Sequence, residues 1–180
     1  MAADPEAAAD PDGDIQATAP DPELLQGSPV TWSHGQRMLH VDRDRLIEVA
    51  TALRADGWLM CLDLTAVDYL TYVAPRLLPA GIEPGRYELV VTLTRHRRPD
   101  RLRIRVQVPE DDATVPSLYP VYPGAEALER EVFDMFGIAF TDHPDLTRIL
   151  MPEDWEGHPL RKDYAVGRIP VQFKGAPAAR

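Results

Sequence analysis

Apolar side chains recur at helical spacing in two stretches of the chain, and a glycine ends each stretch. The first follows Asp42, a residue type that often caps helices, and stops at Gly57. The second runs from about Gly124 to Phe136 and is closed by Gly137. The apolar stripes are Leu46, Ile47, Val49, Ala50 and Leu53 in the first and Ala125, Leu128, Val132 and Met135 in the second. The pattern predicts two amphipathic helices.

Strict alternation of apolar and other residues predicts a β-hairpin between these helices. One arm, Tyr87–Thr94, places every second apolar side chain on one face, and the arm Leu102–Val108 does the same with arginines between. A turn around Arg98-Pro99-Asp100 joins the arms, and another strand is predicted from Trp58 to about Val67. We therefore expect an α+β fold of two layers, with helices packed on one face of a largely antiparallel or mixed sheet.

Composition and charge divide the chain into three parts. Residues 1–29 contain seven acidic residues and no lysine or arginine, and we expect them to form a disordered tail that either solubilises the protein or orders on a partner. The net charge of −10 mostly reflects this tail, because the remainder has 22 acidic against 19 basic residues. Residues 30–140 form the predicted α+β domain. Residues 141–180, rich in proline, histidine and charge, are predicted to be an extended segment that docks on a partner.

Several chemistries lack the residues that they require. Cys61 is the single cysteine, which excludes an internal disulfide and a self-contained iron–sulfur cluster, and its apolar neighbours predict a buried strand position. The glycine motifs that bind dinucleotides or cradle phosphates are absent. No window approaches the roughly 18–20 apolar residues that span a bilayer, and no secretory signal is recognisable. We therefore expect a cytosolic chain that carries out no redox chemistry itself and meets a membrane only through partners.

Charged motifs begin in the second helix and continue to Tyr164. The helix contains Glu129-Arg130-Glu131 and Asp134 three residues before Gly137. His143-Pro144-Asp145-Leu146 and Arg148-Ile149-Leu150 come next, and Gly157-His158-Pro159-Leu160-Arg161-Lys162-Asp163-Tyr164 closes the series. Motifs of this kind in this order closely resemble the 30 kDa subunit family of proton-pumping NADH–quinone oxidoreductase, respiratory complex I.

The resemblance implies a function that depends on position in an assembly. It implies a non-catalytic structural subunit of the peripheral arm, on the cytoplasmic face of the bacterial plasma membrane. The chain would bind no cofactor, since NADH, FMN, Fe-S clusters and quinone are bound by neighbouring subunits. The implied partners are the large subunit of the quinone pocket and the cluster-bearing subunits near it, with no nucleic acid. The alternative is the equivalent subunit of a membrane-bound [NiFe] hydrogenase or of a related quinone-reducing complex with another electron donor.

The resemblance also identifies the candidate interface residues, none of which is expected to be catalytic or to bind a cofactor or metal. They are Glu129, Arg130, Glu131, Asp134, Gly137, His143, Pro144, Asp145, Arg148, Gly157, His158, Pro159, Leu160, Arg161, Lys162, Asp163 and Tyr164. Helical geometry predicts that Glu129 and Asp134 cannot both lie on the core stripe, so that at least one of them faces outward. We expect these carboxylates to meet arginines or backbone amides of the C-terminal segment or of a partner.

Two other interpretations of the charged residues are disfavoured. The spacing of His143 and His158 matches no standard zinc site, so we expect both to form hydrogen bonds in ordered turns. A basic face of the hairpin could contact phosphates, but it lacks exposed aromatic residues and a nucleic-acid motif, so a solvated face or an acidic neighbour is preferred. This face comprises Arg95, Arg97, Arg98, Arg101, Arg103 and Arg105.

Overall fold

The computed structural model describes residues 23–76, 78–96, 100–165 and 167, which form a six-stranded sheet, a two-stranded sheet and two α-helices. The strands are β1 (Leu24–Leu25), β2 (Ser28–Ser33), β3 (Gln36–His40), β4 (Met60–Asp68), β5 (Tyr87–Arg95), β6 (Asp100–Val108), β7 (Thr114–Pro116) and β8 (Ala139–Thr141). The helices are α1 (Leu46–Ala55) and α2 (Glu126–Phe136), which follow the 3-10 turns Arg43–Arg45 and Pro123–Ala125. Within the described ranges, no helix combines the length and the apolar character needed to cross a bilayer.

The large sheet is mixed and has the strand order β1-β2-β3-β6-β5-β4. Its neighbouring strands are antiparallel except for β3 and β6, which run parallel with Leu39 opposite Ile104. The predicted hairpin is formed by β5 and β6, with Tyr87 opposite Val108. Of its predicted turn, Arg98 and Pro99 lie outside the described residues. The α+β fold with a largely antiparallel, mixed sheet is therefore confirmed.

Both helices bury their apolar stripes against one face of this sheet. The alternating apolar residues of β5 and β6 are buried, as the hairpin pattern predicts. Helix α1 adds four buried residues from its predicted stripe, whereas Ile47 is only half-buried. The Asp42 backbone is extended, but its side chain forms no capping hydrogen bond, and a 3-10 turn precedes the helix. Gly57 and Gly137 have the predicted left-handed backbone, with φ of 93° and 72°.

The fold begins earlier than the predicted boundary between tail and domain at residue 30. Strand β1 and the start of β2 fall within the predicted tail, and Ser28 is buried. The backbone N–H of Val30 donates to the Glu23 carbonyl at 2.7 Å, so the chain is paired from Glu23 onward. These short strands lack a long apolar alternation, and their order depends on the pairing of β3 with a strand far along the chain. The remainder of the predicted tail, residues 1–22, lies outside the described residues.

The C-terminal segment is not separated from the domain at residue 140. Strand β8 pairs in parallel with β7, and the residues after it follow the surface of α2. The described part of the predicted partner-docking segment therefore docks on its own chain. An extended segment has backbone N–H groups that need hydrogen-bond acceptors from elsewhere. In this segment the acceptors lie on the same domain.

Gly85 lies where the loop after β4 returns to the sheet. Its N–H donates to Gln107 Oε1 at 3.3 Å, and its carbonyl accepts a hydrogen bond from Arg76 Nη1 at 2.7 Å. A Cβ atom at this position would overlap the backbone carbonyl of Val108. Since Val108 ends β6, relief of this overlap would displace the end of a central strand.

Replacing Gly85→Ala should therefore lower the free energy of unfolding by about 1–3 kcal/mol, the usual cost of overpacking. Urea denaturation measures the change. Gly124→Ala is the matched control, because a Cβ atom there meets nothing within 4 Å. The control should shift the unfolding free energy by less than about 0.5 kcal/mol. Equal losses in the two variants would contradict the role of close backbone approach.

Candidate functional site

The Asp134 carboxylate is the centre of the contacts between α2 and the C-terminal segment. Asp134 is fully buried, and its Oδ2 accepts the backbone N–H groups of Ile149, Leu150 and Met151 at 3.1, 2.8 and 2.8 Å. Its Oδ1 accepts a hydrogen bond from Arg148 Nη1 at 2.6 Å. Three consecutive amides thus converge on one carboxylate, which fixes the path of the chain after Arg148.

These donors also determine the ionisation of Asp134. Burial by itself raises the pKa of the carboxyl, but the hydrogen bonds from Met151, Arg148 and the two other amides outweigh burial and lower the pKa below its ordinary value. The carboxylate is therefore charged at neutral pH. A buried charge of this kind is stable only while its partners remain in place.

The end of α2 is completed by the second half of the C-terminal segment. The last backbone carbonyls of a helix have no partner within the helix. Here the carbonyl of Asp134 accepts a hydrogen bond from His158 Nδ1 at 3.0 Å, that of Met135 accepts the Leu160 N–H at 3.0 Å, and that of Phe136 accepts Arg161 Nε at 2.5 Å. Arg161 also places a positive charge at the negative end of the helix.

Burial lowers the pKa of His158, which favours the neutral ring. Because the Asp134 carbonyl can only accept a hydrogen bond, the proton of the ring lies on Nδ1. Gly137 lies directly beneath this ring. A Cβ atom at Gly137 would overlap Arg161 and His158, and its backbone is left-handed. Glycine is therefore required at this position for two independent reasons.

A second connection joins the segment to the end of β4. The Lys162 N–H donates to Asp68 Oδ2 at 2.8 Å, and Arg86 forms ion pairs with Asp68 at 3.0 Å and with Asp163 at 2.9 Å. Asp68 is buried, and the side chain of Arg86 is only 7% exposed. The segment is thus held at both ends, on α2 by Asp134 and on the sheet by Asp68.

Glu129 occupies a separate buried position on α2. Its carboxylate accepts the Ser117 hydroxyl and the Leu118 N–H, both at 2.6 Å. The ring of His143 lies beside it, with Nε2 3.8 Å from Glu129 Oε2. That ring donates from Nε2 to the Glu126 carbonyl at 3.1 Å and accepts the Asp145 N–H at Nδ1 at 3.0 Å. Burial raises the pKa of Glu129 despite its two donors.

The prediction that Glu129 and Asp134 cannot both lie inside was wrong. Both side chains are fully buried, although they lie on different sides of α2. The connection after β7 covers Glu129, and residues 148–151 cover Asp134. Helical periodicity detects a single core stripe, whereas α2 is enclosed on more than one side.

Known proteins resemble this chain in sequence and in fold. The sequence matches the family described as "Respiratory-chain NADH dehydrogenase, 30 Kd subunit" over residues 39–169. The chain belongs to this family. Relatives of this 30 kDa subunit family include the C subunit of the NADH-quinone oxidoreductase of Saccharopolyspora erythraea, which is 47% identical over 150 residues. That alignment covers 82% of this chain and 56% of the relative, so the chain spans little more than half of the relative's length.

Two solved structures share the fold. The trypsin-resistant fragment (1-134) of Nqo5 is 34% identical with a TM-score of 0.59, covering 67% of this chain and 90% of the fragment. A chain of the membrane-bound sulfane sulfur reductase, an archaeal respiratory membrane complex, has a TM-score of 0.64. The alignment with that chain covers 77% of this chain and 78% of that one at 23% identity, which shows the fold alone.

The 30 kDa family motifs divide into residues that hold the structure together and residues that face outward. The inner group lies against α2 or the sheet and comprises Glu129, Asp134, Gly137, His143, Arg148, His158 and Arg161, with Arg130 donating to the backbone carbonyls of Thr147 and Arg148. Pro159 and Tyr164 are half-buried, and the Tyr164 ring packs against Gly157. The exposed group comprises Glu131, Pro144, Asp145, Gly157, Leu160, Lys162 and Asp163.

Three buried charged residues of the fold were not identified from the sequence: Asp68, Arg86 and Glu88. Each occupies a strand or strand-end position where a polar residue is ordinary, so periodicity contains no sign of burial. Cys61 is half-buried and packs against the core, and its Sγ lies 3.6 Å from the Asp63 carbonyl. Among the described residues, no group of three His, Cys, Asp or Glu side chains could hold a metal ion.

Replacing Asp134→Asn should lower the free energy of unfolding by about 3 kcal/mol at neutral pH, because Arg148 loses a buried partner. Denaturant titration measures the loss. Glu131→Gln, on an exposed position of the same helix, is the control and should change stability by less than about 0.5 kcal/mol. A lowered pKa means that Asp134 stabilises the fold above the ordinary aspartate value of about 3.9 and that this contribution disappears as the pH falls. A wild-type advantage that persists unchanged to about pH 2 would refute this assignment.

Glu129 should show the opposite pH dependence. Its folded pKa is raised, so its stabilising contribution is complete below the ordinary glutamate value of about 4.3 and is lost as the pH rises through the folded pKa. The unfolding free energy of the wild type, relative to that of Glu129→Gln, should therefore decrease as the pH rises above about 4.3. Denaturation series at increasing pH test the sign, and an increase would exclude a raised pKa.

Proposed function

We propose that this chain is a non-catalytic structural subunit of the peripheral arm of proton-translocating NADH–quinone oxidoreductase (complex I). In this proposal, electrons pass from NADH through FMN and Fe-S clusters in neighbouring subunits to quinone. The chain itself binds none of these groups. Its place is the cytoplasmic face of the bacterial plasma membrane, where partner subunits hold it.

The observation that supports this proposal is that the side chains of the motifs form hydrogen bonds within the chain. Asp134, Arg148, His158 and Arg161 each form hydrogen bonds that hold the C-terminal segment against α2. Glu129 is occupied in the same way by Ser117 and Leu118. Side chains that form hydrogen bonds within the chain determine the shape of its surface. Acid–base catalysis instead needs side chains within hydrogen-bonding reach of a substrate.

The surface shaped in this way is apolar and exposed. Ile149, Leu150 and Leu160 are 41%, 60% and 47% exposed, although their backbones are fixed by hydrogen bonds to α2. A rigid backbone that presents apolar side chains loses little entropy when a partner covers them. Such side chains suit the fully buried core of a protein–protein interface, which is more apolar than the rest of the interface.

We further propose that this surface contacts the large subunit of the quinone pocket and the cluster-bearing subunits near it. The family membership and the name of the Saccharopolyspora relative favour an NADH-linked complex. The side chains of Leu150 and Leu160 are the proposed centre of the contact. Lys162 is exposed and lies two residues after Leu160 in the sequence, so it is suited to the polar rim of the contact.

The proposal is tested by capture of the tagged full chain from detergent-solubilised membranes of its host, followed by identification of the co-purifying chains. The wild type should recover the quinone-pocket and cluster-bearing subunits. A double variant, Ile149→Ser with Leu150→Ser, should recover at least about tenfold less, since a combined loss of about 1.4 kcal/mol from two contacts at the centre of the interface lowers affinity tenfold. NADH-driven quinone reduction in the same membranes should fall in parallel.

Val73→Ser is the matched control, because Val73 is 99% exposed on the loop after β4 and lies outside the C-terminal segment. The control should leave recovery unchanged. The unfolding free energy of the double variant must stay within about 0.5 kcal/mol of the wild type, as for surface substitutions. Full recovery by a folded double variant would exclude this surface, and capture of a complex without a quinone-pocket subunit would exclude the proposed function.

A further inference from the structure

The sheet face opposite the helices contains a groove of about 680 Å³. Residues 31–33 of β2 line one side, and the loop after β4 lines the other with Tyr69, Tyr72 and Arg76. The strands beneath contribute Met38, Glu88, Val90, Arg103 and Arg105. The motifs of α2 and the C-terminal segment are not part of this groove.

The charge of the groove favours an anionic occupant. Its lining contains three arginines and one carboxylate, Glu88. Glu88 is buried and accepts hydrogen bonds from Arg76 at 2.8 Å and from Arg105 at 2.7 Å, so it is saturated by cations. Arg76 also stacks on the Tyr69 ring at 3.7 Å, and its buried Nε has no hydrogen-bond partner among the described residues. The lining therefore has a net positive charge of two, and a buried donor remains unsatisfied.

The chain enters the described structure at the edge of this groove. Glu23 is the first described residue, and its Oε2 accepts a hydrogen bond at 3.0 Å from Nε1 of Trp32, which lines the groove. Residues 1–22 therefore attach beside the arginines. They contain six acidic residues, Asp4, Glu6, Asp10, Asp12, Asp14 and Asp21, and no lysine or arginine.

We propose that the acidic residues 1–22 bind in this groove of the same chain. The Asp10–Asp14 stretch is the central element, because its carboxylates are spaced along the chain and complement the three arginines. About 13 residues separate Asp10 from Glu23, and a polypeptide of that length can extend to at most about 45 Å, which is enough to reach the groove. The occupant thus continues a contact that Glu23 and Trp32 already make.

Covalent attachment makes a weak contact effective. Ion pairs at a partly solvated surface are individually weak. A short tether, however, supplies a local concentration of the order of millimolar, so the groove is occupied for a substantial fraction of the time. Occupancy of the groove therefore depends on ionic strength, because salt screens charges beyond a Debye length of about 10 Å at 0.1 M.

The test is paramagnetic relaxation in the full-length, isotope-labelled chain. A nitroxide is attached at Ala9→Cys in a Cys61→Ser background, so that the nitroxide has a single site. At low salt the amide signals of Arg103 and Arg105 and the indole Nε1–H of Trp32 should broaden. The indole of Trp58, which is buried on the core side, is the internal reference. The broadening should disappear in 1 M salt, where the Debye length falls to about 3 Å.

Two kinds of variant identify the charges responsible. Arg103→Glu should abolish the broadening, whereas Arg101→Glu should retain it, because Arg101 is exposed on the same strand and does not line the groove. Asp10→Asn, Asp12→Asn and Asp14→Asn together should also abolish it. These changes lie outside the described fold, so they test the proposal even if Arg103→Glu unfolds.

Three outcomes would overturn the proposal. The first is an absence of selective broadening at low salt, which would leave the groove for another occupant. The second is broadening that survives both salt and the triple Asp→Asn variant. The third is broadening in a mixture of two kinds of chain, one with the nitroxide but no isotope and the other with the isotope but no nitroxide. The occupant would then be the acidic segment of a second copy.

Discussion

The structure depends on the burial of one carboxylate, that of Asp134, inside the angle between a helix and the chain that follows it. A charge without solvent must be surrounded by donors, and the protein supplies three consecutive amides and one guanidinium. Those amides can converge only if the segment after Arg148 turns tightly around α2. The same turn brings His158, Leu160 and Arg161 to the helix end, where they satisfy its last carbonyls. One electrostatic requirement thus determines the path of a long C-terminal stretch that has almost no regular secondary structure.

This arrangement explains how charged family motifs can matter in a subunit proposed to lack a reaction centre. The motif residues act on the backbone, and the backbone then presents Ile149, Leu150 and Leu160 to the outside. Polar residues therefore determine the shape of the surface, while apolar residues provide its contact area. The motif and the proposed interface are adjacent in sequence and mostly distinct in residues.

The predictable parts of the fold are those in which the regular spacing of apolar residues along a short stretch of sequence coincides with burial. Helix α1, helix α2 and the hairpin β5–β6 follow from apolar spacing, and Gly57 and Gly137 mark the helix ends. Strand β1 and the start of β2 fall in the predicted tail, because their order depends through β3 on pairing with β6, which lies outside any short window of the sequence. Burial of both Glu129 and Asp134 was missed for a related reason, since the covering chain is distant in sequence. The contact of Asp134 with amides and an arginine of the C-terminal segment was foreseen only as one of two alternatives, because a partner would have offered the same donors.

The parallel pairing of β3 with β6 has a consequence for the way in which the polypeptide acquires its shape. Translation delivers β2 and β3 first, while the strand that must lie beside β3 has not yet been synthesised. The early hairpin has one unpaired edge until the ribosome has released β6, and an isolated two-stranded ribbon is only marginally stable in water. The sheet is therefore completed only after β6 has been synthesised. Until then, the nascent amino-terminal region exposes an unpaired strand edge that is prone to aggregation.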